Sequence, residues 1–175
     1  MTAGSVDRPP ILVLGLGNQL LGDDGAGLRL LELLEAGQGR AANVESLGGG
    51  TPAVEFIDGG TQGLALLGTI ENRQGLLILD AVGSGSAGEV HSLDARDLAA
   101  LRARRASTAH EGNALELLEA ATLLGVAPAR TVVVGITPAM LKTGIGLSPP
   151  VEAALPEALR QAGLALQSLI SSLTA

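Results

Sequence analysis

The sequence predicts an α/β protein, a three-layer α/β/α sandwich around a twisted, mostly parallel sheet of about five strands. Three observations predict it. Short apolar runs recur at 11–15 (ILVLG), 76–82 (LLILDAV) and 131–137 (TVVVGIT), of the kind buried on both faces of a parallel sheet. Segments with apolar residues at helical spacing alternate with them, as in strand–helix–strand units. The 175 residues fit one domain, 1–175, with residues 1–10 expected as a flexible N-terminal lead-in.

The first strand is 11–15. A helix is expected from Ala26 to Ala36, where Leu28, Leu31 and Leu34 share a face, with Gly37 as its stop. Residues 38–53 read as a glycine-rich connector with a possible short strand at 43–47. VEFID (54–58) alternates as a strand and closes on GGT, and LALLGTIENR (64–73) reads as a second amphipathic helix. After the strand 76–82, the turn 83–88 leads to a strand at 89–94. ARDLAALRARR (95–105) has helix-forming composition, with basic residues in its last turn to meet the negative dipole end. A strong helix over 110–125 and the strand 131–137 follow. The last helix is expected from Val151 to Leu173, with Pro156 in its first turns, where proline is tolerated.

Composition excludes several chemistries. There is no cysteine, which removes disulfides, thiol nucleophiles and zinc–thiolate sites. Phe56 is the only aromatic residue, so a base-stacking nucleic-acid surface is not expected. A net charge of −7 and a pI near 4.7 argue against nucleic acid and anionic membranes as partners. MTAGSVDRPP lacks the pattern of a signal peptide, and no apolar run is long enough to span a bilayer. A soluble cytoplasmic protein is the expectation.

The segment GLGNQLLGDDGAG (15–27) joins the first strand to the first helix. A dinucleotide fingerprint needs G-x-G-x-x-G. Gly15 and Gly17 fit, but the third position is Leu20, and Gly22 comes two residues late. Asp23 and Asp24 lie where a phosphate would dock on the helix N-terminus and would repel it. Asp23 is expected to cap the helix, while Asp24 lies farther in and projects towards the sheet edge. Asp58 ends a strand in IDGGT, where an Asx turn is the plainer reading. His110 opens a helix in STAHEGN. The positive helix end disfavours its protonation, leaving the neutral form that ligates metals. Two carboxylates and one imidazole on loops after strands suit a divalent transition metal with open coordination positions. Asp80 is a fourth strand-end carboxylate, suited to a supporting or loop-anchoring role, and His91, inside a strand, reads as structural. The motifs H-E-x-x-H and G-x-S-x-G are absent.

Taken in order, GLGNQLLGDDGAG, IDGGTQGLALLG, LLILDAV, HEGNALELL and GITPAML resemble the nickel–iron hydrogenase maturation endopeptidases, over about residues 11–170. The resemblance implies an α/β/α sandwich that removes a C-terminal extension from the hydrogenase large-subunit precursor after nickel insertion. It places the metal-recognising and catalytic triad on Asp24, Asp58 and His110. It implies that the nickel belongs to the substrate, that cadmium or zinc substitutes in vitro, that no organic cofactor is used and that the protein is a monomer. Whether a metal-activated water or a carboxylate base cuts the bond stays open. Asp24 stands where the family more often has Glu, Glu111 where it commonly has Gln, and the connector SLGGGTPA is longer than usual. Two other readings remain: a non-catalytic nickel-checking or carrier protein on this fold, and a nucleotide-binding α/β domain.

Overall fold

The computed structural model describes residues 8–45, 53–83, 85–94, 97 and 113–174. Five strands, β1 (Ile11–Leu16), β2 (Val54–Gly60), β3 (Gly75–Ala81), β4 (Val90–Asp94) and β5 (Arg130–Ile136), form one sheet in the order β2-β1-β3-β5-β4. The pairs β1–β2, β1–β3 and β3–β5 are parallel, and β4 runs antiparallel to β5 at one edge. The apolar runs fall on the interior strands. β1 and β3 are buried along their whole length.

Alternate residues of these strands feed two cores. Ile11, Val13, Leu77, Leu79, Val134 and Ile136 pack against helices α1 (Ala26–Glu45) and α4 (Pro149–Thr174). Leu12, Leu14, Leu16, Leu76, Ile78 and Val133 pack on the other face against α3 (Asn113–Leu123) and against Leu66 and Ile70, which flank and end the short α2 (Leu67–Ile70). Continuous burial of both strand faces is the physical basis of the three layers. No described helix is long and apolar enough to cross a membrane.

Several boundaries differ from the sequence expectation. α1 does not stop at Gly37 but runs to Glu45. Gly37 lacks the positive φ of a left-handed stop, and nothing crowds it. A short strand at 43–47 is therefore replaced by helix over 43–45, and residues 46–47 lie outside the described residues. The helix expected over 64–73 is a 3-10 turn, Gly63–Leu66, followed by the single turn of α2. Gly68 and the β-branched pair Thr69 and Ile70 offer weak helix propensity, and Glu71 already returns to extended backbone. α4 begins two residues early, at Pro149, so Pro156 sits inside the helix. The helix expected at 95–105, Asp97 apart, and the start of the helix at 110–112 lie outside the described residues.

The chain passes from β1 to β2 on one side and then to β3 on the other side of β1. The loops leaving the carboxyl ends of β1 and β3 therefore part, which is the topological switch point where open α/β sheets bind ligands.

Candidate functional site

The loop after β1 folds back on itself because Gly17 has φ +122, and a Cβ there would lie 1.8 Å from the Asp24 carbonyl oxygen. No other residue type fits that close approach. The Asn18 N–H donates to Asp24 Oδ2 at 2.8 Å, and Asn18 Oδ1 accepts from the Leu20 N–H at 2.9 Å. A 3-10 turn, Gly22–Gly25, then leads into α1. α1 presses onto the sheet at Gly27, where a Cβ would meet the carbonyl oxygens of Leu16 and Leu79 at 2.4 Å each. Asp24 is thus set beside the ends of β1 and β3. Burial raises its pKa, against the smaller opposing effect of the Asn18 bond.

Asp58 lies in β2 opposite Gly15. Its Oδ1 accepts from the Gly60 N–H at 2.9 Å, the Asx turn expected from DGG. The two loops are joined by the Gly17 N–H donating to the Gly60 carbonyl at 2.9 Å. A Cβ on Gly17 would lie 3.8 Å from Asp24 Cγ, and one on Gly60 would lie 3.7 Å from Asp58 Oδ1. Both carboxylates therefore border one backbone junction. None of the ion pairs among the described residues involves Asp24 or Asp58. His110 and Glu111 lie outside the described residues, and among the described residues no three His, Asp or Glu side chains form a metal-sized group.

Asp23 does not cap the helix. The 3-10 turn has no side-chain cap, and Asp23, 0 % exposed, turns to the strap 139–148 instead. It accepts from the N–H groups of Ala139 at 2.8 Å, Met140 at 2.9 Å and Ser148 at 2.6 Å, and from Ser148 Oγ at 2.8 Å. Burial pushes its pKa up, but the four bonds together outweigh this and hold it below the usual carboxylate value.

Asp80, at the end of β3, is also buried. Its carboxylate accepts from Ala81 N–H at 2.8 Å and from Ala114 N–H, in the first turn of α3, at 3.4 Å. Burial pushes its pKa up to about 7, helped by the nearby Asp24 charge and opposed by the two hydrogen bonds. The anchoring role expected of Asp80 thus has a specific form: it ties the start of α3 to the central strand. His91 Nε2 lies 2.8 Å from Thr137 Oγ1, joining β4 to the end of β5. A groove of about 280 Å³ opens beside the first loop, lined among others by Gln19, Arg29, Glu32, Ile145 and Glu152. Neither Asp24 nor Asp58 lines it.

Residues 29–163 match the family model described as hydrogenase maturation protease. The chain belongs to that family. It is 37 % identical over 159 residues to the hydrogenase 2 maturation protease of Escherichia coli (strain K12), covering 90 % of each chain. It is 32 % identical over 157 residues to the hydrogenase expression/formation protein HupD of Rhodobacter capsulatus, covering 86 % of this chain and 70 % of that one. Among solved structures it resembles the hydrogenase maturating endopeptidase HybD from E. coli, with a TM-score of 0.71, 36 % identity and coverage of 90 % and 92 %. The hydrogenase 2 maturation peptidase from Thaumarchaeota archaeon SCGC_AB-539-E09 gives 0.60, 30 %, 90 % and 97 %. The activity class is accordingly peptide hydrolysis in hydrogenase maturation.

Within this maturation protease, Asp23 is the residue whose role the sequence did not disclose. Its partners lie 116 to 125 positions away, and no local pattern encodes such a pairing. Asn18 carried a local signal, since an Asn just after a strand-ending glycine commonly bonds nearby backbone.

Proposed function

We propose that this protease removes the C-terminal extension of a [NiFe] hydrogenase large-subunit precursor, and that Asp24, Asp58 and His110 recognise the nickel already seated in that substrate. The observation that carries the reading is a pair of carboxylates, Asp24 on the loop after β1 and Asp58 near the end of the neighbouring strand β2, unpaired with any cation among the described residues. A partly buried carboxylate with a raised pKa is relieved by a cation brought to it. Two oxygen donors and an imidazole nitrogen suit a borderline divalent ion, and they bind it more weakly than thiolates or three imidazoles. Weak intrinsic affinity keeps recognition dependent on a nickel-loaded substrate, and cadmium or zinc would occupy the same donors in vitro. His110 follows from the HEGNALELL motif and precedes α3 by three positions. Hydrolysis adds water across the scissile amide, leaving a new carboxyl terminus on the large subunit and a free amine on the released peptide. The chain is expected to act as a cytoplasmic monomer on this protein partner.

The test is mass spectrometry of precursor mixed with the protease. Nickel-loaded precursor should lose its extension, and nickel-free precursor should not. Asp24→Asn, Asp58→Asn and His110→Ala should each abolish the mass change. A stable complex with unchanged precursor mass would replace this reading with a non-cutting nickel checker.

A further inference from the structure

We propose that Asp23 is a positioning residue for Asp24, so that the strap 139–148 sets the geometry of the acidic edge. The proposal rests on the reading that Asp24 takes part in cation recognition.

Both oxygens of Asp23 are used. Oδ1 accepts from Ser148 N–H, and Oδ2 accepts from Ala139 N–H, Met140 N–H and Ser148 Oγ. The lacing continues along the backbone: Asp23 N–H donates to Met140 O at 3.1 Å, Gly22 N–H to Gly144 O at 2.9 Å, and Gly144 N–H to Leu20 O at 2.9 Å. Residues 20–23 are thus fixed against the strap immediately before Asp24. Asp24's carboxylate is in turn held by Asn18 N–H, and its carbonyl lies where a Cβ on residue 17 would clash. The strap is itself fixed, because the Ser148 carbonyl accepts from Glu152 N–H at 2.9 Å in the first turn of α4. A continuous path runs from the α4 layer through Ser148 and Asp23 to Asp24, and through Gly17 and Gly60 to Asp58.

The residue type fits this role better than a tether alone would require. Four donors converge on one side chain, and an ionised carboxylate offers enough lone pairs to accept them all. No described ion pair includes Asp23. Burying an uncompensated charge is costly, and only the complete set of donors offsets it. Loss of one donor should therefore loosen the loop rather than pass unnoticed. Groups that orient metal ligands have this character, and their loss typically weakens metal binding by roughly 10- to 100-fold.

The experiment uses the full chain and the variants Ser148→Ala, Asp23→Asn and Asp24→Asn, with Arg73→Lys as a stability control. Arg73 sits at the amino ends of the strands, bonded to Pro9 O and Glu55. Two readouts are taken: hydrogen exchange of the Asn18 amide by NMR, and Cd²⁺ affinity by calorimetry. Asp24→Asn calibrates both. Ser148→Ala should speed Asn18 exchange and weaken Cd²⁺ binding by about tenfold, with the core amides of Leu77 and Leu79 still protected. Asp23→Asn should do more. Arg73→Lys should lower Tm and change neither readout. If both clamp variants lose Tm but keep wild-type Asn18 exchange, or keep wild-type Cd²⁺ affinity where Asp24→Asn loses it, Asp23 is a structural tether only and the proposal is overturned. If Asp23→Asn does not fold, Ser148→Ala decides. Should Asp24→Asn leave Cd²⁺ binding intact, the cation reading of Asp24 fails. The Asn18 amide then still reports whether Asp23 holds Asp24.

Discussion

Asp80 ends the central strand with a buried carboxyl whose partners among the described residues are two backbone amides. Its pKa is pushed from 3.8 up to about 7, chiefly by burial. A carboxyl raised in the folded state binds a proton that the unfolded chain has released. Its contribution to stability is fully present below the ordinary value of 3.8 and is lost as pH rises through about 7. The loss is up to about 4 kcal/mol for a shift of this size. Asp80→Asn should remove that slope: urea unfolding of wild type and variant from pH 4 to 7.5 should show the wild type weakening relative to the variant. Parallel curves would mean that Asp80 is ionised throughout. Asp23 has the opposite sign. Its depressed pKa gives stability that is present above the unfolded value and lost in acid. The sequence made the placement of Asp24, Asp58 and Asp80 legible, because Asp58 and Asp80 lie near the ends of readable strands and Asp24 lies in the loop after one. It did not separate the adjacent Asp23 and Asp24, since cap, clamp and ligand are all roles of an aspartate near a helix start, and the partners that decide between them lie beyond any local window.

At the scale of elements, two glycines of α1, Gly27 and Gly37, carry opposite expectations. Gly27 lies where the helix touches β1 and β3, and an added Cβ would sit 2.4 Å from two backbone oxygens. Neither oxygen can swing away as a flexible side chain can. Gly27→Ala should therefore lift the start of α1 from the sheet, costing about 1–3 kcal/mol, read as a lower urea midpoint with unchanged m-value. It should also disturb Asp24, three residues upstream. Gly37 is exposed, helical and uncrowded. Gly37→Ala should raise stability by about 0.5–1 kcal/mol through helix propensity alone. A lowered midpoint for Gly37→Ala would mean that α1 does end there in solution. This is also where sequence reading failed at element scale. Glycine stops a helix through a left-handed conformation, and nothing in the letters GQG says whether that conformation is taken. Strands were read more reliably, because burial on both faces leaves an unbroken apolar run, whereas the short α2 carried an amphipathic pattern that could not outweigh its glycine and β-branched residues.

At the scale of the whole molecule, the two ends of the sheet differ in chemistry. The carboxyl ends of β1, β2 and β3 carry Asp24, Asp58 and Asp80 in three different environments: partly buried, exposed and fully buried. The amino ends are bound together by Arg73. Its guanidinium donates to Pro9 O at 2.7 Å and Glu55 at 2.5 Å, and its Nε to Thr69 O at 3.2 Å. Glu55 pairs in register with Leu12, near the start of β1, and Pro9 precedes that strand. Arg73 therefore ties the chain before β1 to the edge strand β2 and to the end of α2, on the side of the sheet opposite the acidic edge. It is 6 % exposed, while Glu55 keeps access to solvent. Arg73→Met keeps the apolar stem, removes the three-way tie and leaves the Glu55 carboxylate free to hydrate. The loss should be about 2–3 kcal/mol, less than for a fully buried pair broken on one side. Because the tie gathers at the amino ends of β1 and β2, away from the loop that holds Asp24 and three residues along β2 from Asp58, that loss should fall on global stability alone. Below its lowered Tm, Arg73→Met should bind Cd²⁺ and process nickel-loaded precursor as the wild type does. Weakened Cd²⁺ binding in a folded Arg73→Met protein would show that the two ends of the sheet are coupled.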